Sequence, residues 1–228
     1  MIHQNCLIGN GWQKEGSTYT KGSDTITYDG CWWFFNGNRI FDDYSEYLKL
    51  PGMLNYIEQE WLNNPAGHYF HSGVINGAIK QFKIKSVLEV GCGTGNVAKR
   101  LISCEYTGID ANEECIRLAK EKNPDKKFYT SDIRVTDRAN SDLVFCFGVL
   151  KHFGLHEWPE VFKRIASFGT YFIFDMPICG EVKDDGTEHH HVWGTLVWIT
   201  EQCSLAGIKV IETAEINKDE YYFITKKV

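Results

Sequence analysis

The chain has 228 residues and a formal net charge of −6, from 30 acidic and 24 basic side chains, a length that suits one α/β domain with a small appendage. There is no Lys/Arg run, no apolar stretch near the ~20 residues that a bilayer-crossing helix needs, and no basic-then-apolar leader at Met1-Ile2-His3-Gln4-Asn5. A broad phosphate-binding surface, a membrane span and a secreted scaffold are therefore not expected, and the eight singly placed cysteines read as reduced thiols of a cytoplasmic protein.

Residues 1–40 are rich in Gly, Thr, Tyr, Trp and Asn. Thr25–Tyr28 and Cys31–Phe35 are strand-like, and Asp29-Gly30 between them favours a tight hairpin turn. This predicts a small β-meander, too short for a large core of its own, that packs on the main domain or on a second copy in a homo-oligomer. Its Trp12, Trp32 and Trp33 form either a miniature aromatic core or a stacking surface. Residues 41–80 read as a helical lid: an amphipathic helix from Tyr44 to about Leu62, broken at Pro51-Gly52, then His68-Tyr69-Phe70-His71 and a helix through Lys80.

From residue 81 strands and helices alternate. Strands are expected at Ser86–Val90, Tyr106–Asp110, Lys127–Thr130, Leu143–Phe147 and Tyr171–Met176, with helices near Asn96–Ser103, Glu113–Lys122, Trp158–Ser167 and Val192–Leu205. Lys209–Ile216 and Tyr221–Lys226 close the chain across a short polar turn, so that pair must be antiparallel. The expected fold is α/β: a doubly wound, mostly parallel seven-stranded sheet with an antiparallel last strand, plus the N-terminal meander.

Val87-Leu88-Glu89-Val90-Gly91-Cys92-Gly93-Thr94-Gly95-Asn96 names the ligand class. A buried strand enters a loop with glycine at its first, third and fifth positions, where bare backbone turns sharply and lies close to a ligand. A dinucleotide loop wants glycine at the sixth position, here Asn96, and a Walker loop wants Gly-Lys-Ser/Thr, which is missing. Asp110 then places a carboxylate at the carboxyl end of the second strand, able to accept from both hydroxyls of a ribose.

With these residues the segment from about 68 to 228 resembles the class I, Rossmann-like S-adenosylmethionine-dependent methyltransferases. Val87–Gly95 is similar to the family's glycine-rich signature, Ser131-Asp132-Ile133 to its adenine-flanking segment, and Ser141–Phe153 to its fourth strand and following turn. The resemblance implies S-adenosylmethionine as cofactor. Glu89 would receive its ammonium, and the backbone of Gly91, Cys92, Gly93 and Gly95 would wrap its methionine and ribose. Asp110 would hold the ribose beside Ala111, Asp132 and Ile133 the adenine, and Phe147 and Gly148 the floor near the sulfur. Tyr69 or His71 would close over the cofactor's carboxylate.

Methyl transfer is an in-line displacement from an activated donor, so the protein aligns the nucleophile, excludes water and supplies a base where the acceptor holds its proton. Seven of the eight histidines fall where one cleft is expected, and His152, then His191, are the candidate bases. Trp158 and Trp193 are candidate walls for the acceptor, though core packing suits both. His189, His190 and His191 lack a recognised ligand spacing, and no metal is expected. Phe147-Gly148-Val149-Leu150 is not the turn that holds a flipped base, and with the acidic charge this disfavours duplex DNA. A small-molecule acceptor methylated at O or N is the leading reading. A nucleotide, RNA or protein acceptor, or a regulatory protein that binds the cofactor without turnover, are the alternatives.

Overall fold

The computed structural model describes residues 13–15, 18–28, 33–35, 38–39, 65–137, 140–184, 192–217 and 220–228. The chain divides into two compact units, Met1–Pro65 and Ala66–Val228. In the first, β1 (Gln13–Glu15), β2 (Thr18–Lys21), β3 (Asp24–Tyr28), β4 (Trp33–Phe35) and β5 (Asn38–Arg39) pair antiparallel in chain order, the expected meander. The side chains of the three tryptophans and the helix expected at 44–62 lie outside the described residues.

The second unit begins with α1 (Pro65–Phe82). It continues through β6 (Ser86–Val90), β7 (Glu105–Asp110), α2 (Glu113–Lys122), β8 (Lys127–Thr130), β9 (Ser141–Cys146), α3 (Trp158–Ser167) and β10 (Gly169–Pro177). After a two-stranded ribbon of β11 (Lys183–Asp184) and β12 (Val192–Trp193) come α4 (Leu196–Leu205), β13 (Ile208–Asn217) and β14 (Glu220–Lys227). Seven strands form one sheet in the order β13-β14-β10-β9-β6-β7-β8. All pairs are parallel except those of β14, which inserts between β10 and β13 antiparallel to both. This is the doubly wound sheet that the sequence leads one to expect. The chain travels outward from β6 in one direction and from β9 in the other, so the crevice beyond their carboxyl ends is the switch point where such sheets bind ligands.

Two apolar layers sandwich the sheet. On one face α3 buries Trp158, Val161, Phe162, Ile165 and Ala166, spaced as one helical stripe, against Phe172, Phe174 and Phe223. Those rings stack at centroid distances of 4.8 Å (Phe172–Phe174) and 5.0 Å (Phe174–Phe223), and each buried ring contributes roughly 1.5–3 kcal/mol. On the other face α1 and α2 cover Val87, Tyr106, Phe128, Phe145 and Phe147. None of the described helices is long and apolar enough to cross a membrane, and the six described cysteines carry free thiols.

Two elements differ from expectation. The helix expected at 96–103 is a single 3-10 turn, Ala98–Arg100. Only nine residues separate Gly95 from β7, and Asn76 of α1 grips both sides of the exit: its amide donates to the Arg100 carbonyl at 3.0 Å and its Oδ1 accepts from Ile102 N–H at 3.3 Å. The helix expected from 192 starts at Leu196, because Thr195 caps it by accepting from Trp198 N–H at 3.1 Å, while Val192 and Trp193 pair with β11.

Candidate functional site

β6 delivers Glu89 and then the glycine loop. Gly91, Gly93 and Gly95 all have positive φ, at 71°, 50° and 77°. The loop amides are spent within the protein: Gly91 and Cys92 donate to the Ile109 carbonyl at 2.8 and 3.0 Å, Gly95 to Cys92 at 3.0 Å, and Gly93 to Asp110 Oδ2 at 2.9 Å. With a 3-10 turn behind it, the loop has no α-helix N-terminus to offer. What faces outward is bare backbone: a Cβ built on Gly93 meets nothing within 4 Å.

Asp110, half-buried at the end of β7, clamps this loop. Its Oδ2 takes the Gly93 amide and its Oδ1 the Asn112 amide at 2.8 Å. The α2 cap is Asn112, whose Oδ1 accepts from Cys115 N–H at 2.9 Å, so Asp110 is released from capping. Burial pushes its carboxyl up, against the pull of the Asn112 and Gly93 amides. Each oxygen, with one amide donor, keeps a second lone pair.

Glu89 is 4% exposed and accepts a short hydrogen bond from the Tyr106 phenol on Oε2. Burial pushes its carboxyl up to about 8, the Tyr106 bond pulling down and Asp110 adding to the rise. Among the described residues Oε1 has no donor. Below about pH 8 the Glu89 carboxyl is held in its neutral form. Because the folded pKa lies above the ordinary 4.5, the folded state binds more protons than the unfolded one between about 4.5 and 8, so Glu89 costs stability progressively as pH rises through that window. Glu89→Gln, which still accepts from Tyr106, is expected to flatten the pH dependence of cofactor-free stability there, as measured by urea unfolding between pH 5 and 8.5.

At the carboxyl end of β9, Phe147 is buried under the His71 ring of α1, stacked at 4.5 Å, and against the edge of Tyr222 at 5.2 Å. The Tyr222 phenol hydrogen-bonds His71 Nδ1. Gly148 follows with φ 69° and open space where a Cβ would stand. Its amide donates to Asp175 Oδ1 at 2.7 Å. Asp175, in β10, is 6% exposed, and burial pushes its carboxyl up to about 7, the Gly148 amide pulling down, Glu220 adding to the rise and Lys151 opposing it.

Of the residues expected from sequence, the structure thus gathers Glu89, the glycine loop, Asp110, Phe147, Gly148 and His71 at the switch point. Cys92 is buried behind the loop, its thiol pushed well up by burial. Ala111 is exposed beside Asp110, and Ile133 is buried. Asp132 is chelated by Arg134, which donates from Nε and NH2 at 2.6–3.1 Å; burial works against this pairing, yet the carboxyl is held below its usual range. His152 is the exposed last residue of a 3-10 turn, Leu150–His152, whose Leu150 is buried. Trp158 is a core residue, 1% exposed, with its indole donating to the Phe153 carbonyl at 3.1 Å. The side chains of Tyr69 and Trp193, and all of His191, lie outside the described residues. A cavity of about 270 Å³ lined by Ser86, Glu105, Lys127 and Ser141 opens at the opposite, amino end of the strands, away from all of these groups. It lies where the crossover from β8 to β9 carries no α-helix.

The sequence reading did not pick out Asp175, Tyr106 or Tyr222. Asp175 carried a signal, as the one charged residue within the apolar run Tyr171–Met176. Tyr106 and Tyr222 carried none, because their partners are set by strand register.

Residues 87–168 match the family model described as a methyltransferase domain. The matched segment runs from β6 through α3 and includes the glycine loop, Asp110 and Gly148. A trans-aconitate 2-methyltransferase of Delftia acidovorans is 29% identical over 103 residues, covering 41% of this chain and 38% of that protein, so the match spans well under half of the relative. Among solved structures, the magnesium protoporphyrin IX methyltransferase of Synechocystis, crystallised with S-adenosylmethionine, superposes with a TM-score of 0.59 at 16% identity, covering 72% of this chain and 81% of that one. The N,N-8-amino-8-demethyl-D-riboflavin dimethyltransferase of Streptomyces davawensis does so with a TM-score of 0.61 at 11% identity, covering 80% and 61%. At such identities the superpositions speak for the methyltransferase fold alone.

Proposed function

We propose that the domain binds S-adenosylmethionine at the β6/β9 crevice and transfers its methyl group to a small-molecule acceptor. The observation that carries this reading is the Asp110 clamp: one carboxylate fixes the glycine loop through Gly93 and keeps two lone pairs for a ribose. The residues fit the group. A buried Glu89 with one oxygen that takes no donor among the described residues suits the ammonium, and the open positions beside Gly93 and Gly148 suit a ligand lying on bare backbone. In this reading Ala111, Ile133 and Asp132 flank the adenine, Phe147 floors the sulfur end, and Tyr69 and His71 of α1 close over the ligand.

The cofactor supplies an activated methyl group. The chain's own contribution is to hold the donor and acceptor in line and to exclude water. His152 and His191, after β9 and β10, are the imidazoles proposed to take a proton from the acceptor. The small-molecule class is supported by the crevice between strand ends, by the net charge of −6 and by the acceptors named for the similar proteins. The cytoplasm is the proposed location, and an assembly through the meander stays part of the reading.

Calorimetric titration tests it. Binding of both S-adenosylmethionine and S-adenosylhomocysteine is expected, with affinity falling as pH drops below about 8, where Glu89 takes up its proton. Absence of binding, or preference for a dinucleotide, would refute the reading.

A further inference from the structure

We propose that Asp175 receives the acceptor's nitrogen, and that the acceptor is therefore a primary or secondary amine entering as an ammonium. This rests on the methyltransferase reading and names its substrate class.

Asp175 stands near the carboxyl end of β10, the strand beside β9, and so on the acceptor side of the switch point. Its side chain is 94% removed from solvent by its 6% exposure. Its Oδ1 accepts from Gly148 N–H at 2.7 Å, and apart from its own amide, which also pulls the carboxyl down, no second donor reaches the carboxylate among the described residues. A buried carboxylate with only two amide donors is incompletely satisfied, which is costly and calls for a further partner. The neighbouring space is open, since a Cβ on Gly148, whose amide holds the carboxylate, meets nothing within 4 Å.

The field at that carboxylate selects the ligand's charge. On β14, Tyr222 pairs directly opposite Asp175 and Glu220 opposite Pro177. Tyr222 directs its phenol to His71, while Glu220 adds negative charge to the Asp175 field. Cys146, on β9, is a buried thiol raised above its ordinary range, burial first and Asp175 next. Lys151 supplies the opposing positive charge. Two acids against one lysine repel a carboxylate or phosphate acceptor. A phenol would donate one hydrogen bond and leave the charge uncompensated. An ammonium supplies both the donor and the counter-charge.

The proton step balances without any further reagent. The acceptor's N–H bond breaks, the proton forms an O–H bond on Asp175, and the nitrogen keeps the electron pair. A cation and an anion become a neutral amine and a neutral acid. A carboxyl raised to about 7 takes that proton near neutrality far better than one at its ordinary 3.8. For an ammonium acceptor Asp175 therefore takes the place of the two histidines in this step, His152 being exposed on its turn.

The test uses the full chain saturated with S-adenosylhomocysteine and titrated at pH 7.5 with benzylamine, N-methylbenzylamine, phenol and benzoate. Wild type is expected to bind the amines and not benzoate. Asp175→Asn keeps a carbonyl oxygen for the Gly148 amide; it is expected to lose at least roughly tenfold in amine affinity, the weight of one charge-assisted bond, with S-adenosylhomocysteine affinity unchanged. Glu220→Gln, which leaves the Gly148 contact intact, is expected to weaken the amines severalfold. Amines that fail to bind, bind no better than phenol or benzoate, or bind equally to wild type and both variants overturn the proposal. Failure of wild type to bind S-adenosylhomocysteine would instead overturn the methyltransferase reading beneath it.

Discussion

An Asp110→Ala protein is expected to bind S-adenosylhomocysteine roughly a hundredfold to a thousandfold more weakly than wild type. The carboxylate has two tasks, and both fail together. Toward the ligand, its free lone pairs accept from two ribose hydroxyls, and a hydrogen bond to a charged group contributes about 1.5–3 kcal/mol. Toward the protein, it neutralises the Gly93 amide at 2.9 Å and the Asn112 amide at 2.8 Å. Without it the Gly93 end of the loop loses its tie to β7, and the cradle must be ordered again with each binding event. Asp110→Asn is expected to fare little better, since one of its two arms presents an N–H to an N–H. Calorimetry measures the affinity, and hydrogen exchange at the Gly93 amide reads the loop separately. A variant that bound normally while that amide exchanged freely would show that loop order and ribose capture are independent, contrary to this account.

The parts of the fold that were legible in the sequence are those whose pattern is local. Ser86–Val90 and Lys127–Thr130 have the expected bounds, because each carries β-branched or aromatic residues and stops at turn formers, Gly91 and Ser131-Asp132. α3 is found at Trp158–Ser167 because its apolar residues fall on one helical stripe. Asn96–Ser103 carries helix-forming residues too, but there a distant asparagine, Asn76, decides the matter by binding both Arg100 and Ile102. Val192 and Trp193 continue an apolar pattern into α4, yet Thr195 is the better cap and β11 the better partner for them.

The site divides along the same line. Glycine spacing and the acid after β7 are local, so Gly91–Gly95 and Asp110 could be read directly. The setting of Glu89 could not, since it depends on Tyr106 approaching across the β6–β7 pair. Nor could that of Asp175, which depends on the turn after β9 coming back to within hydrogen-bonding distance. Both are acids whose protonation is governed first by burial, a property that one strand's sequence does not contain.

Gly91→Ala is expected to destabilise the protein by roughly 2–5 kcal/mol, the sum of a left-handed backbone penalty of about 1–2 and an overpacking penalty of about 1–3. Gly91 has φ 71°, and a Cβ there would stand 2.3 Å from Val149 Cγ2. Val149 follows Gly148 after β9 and Gly91 follows β6, so the clash falls inside the switch-point crevice, where neither strand can retreat without shifting its pairing. Gly207→Ala isolates the backbone share, because Gly207 has φ 72° with nothing within 4 Å of its Cβ position; only about 1–2 kcal/mol is expected there. Adding Val149→Ala to Gly91→Ala removes the Cγ2 that clashes and should recover the packing share while leaving the dihedral share in place. Urea unfolding midpoints of the four proteins, wild type and the three variants, decide between these components. If Gly91→Ala and the double variant were equally destabilised, the two strand ends would not be in the close contact on which the geometry of the crevice depends.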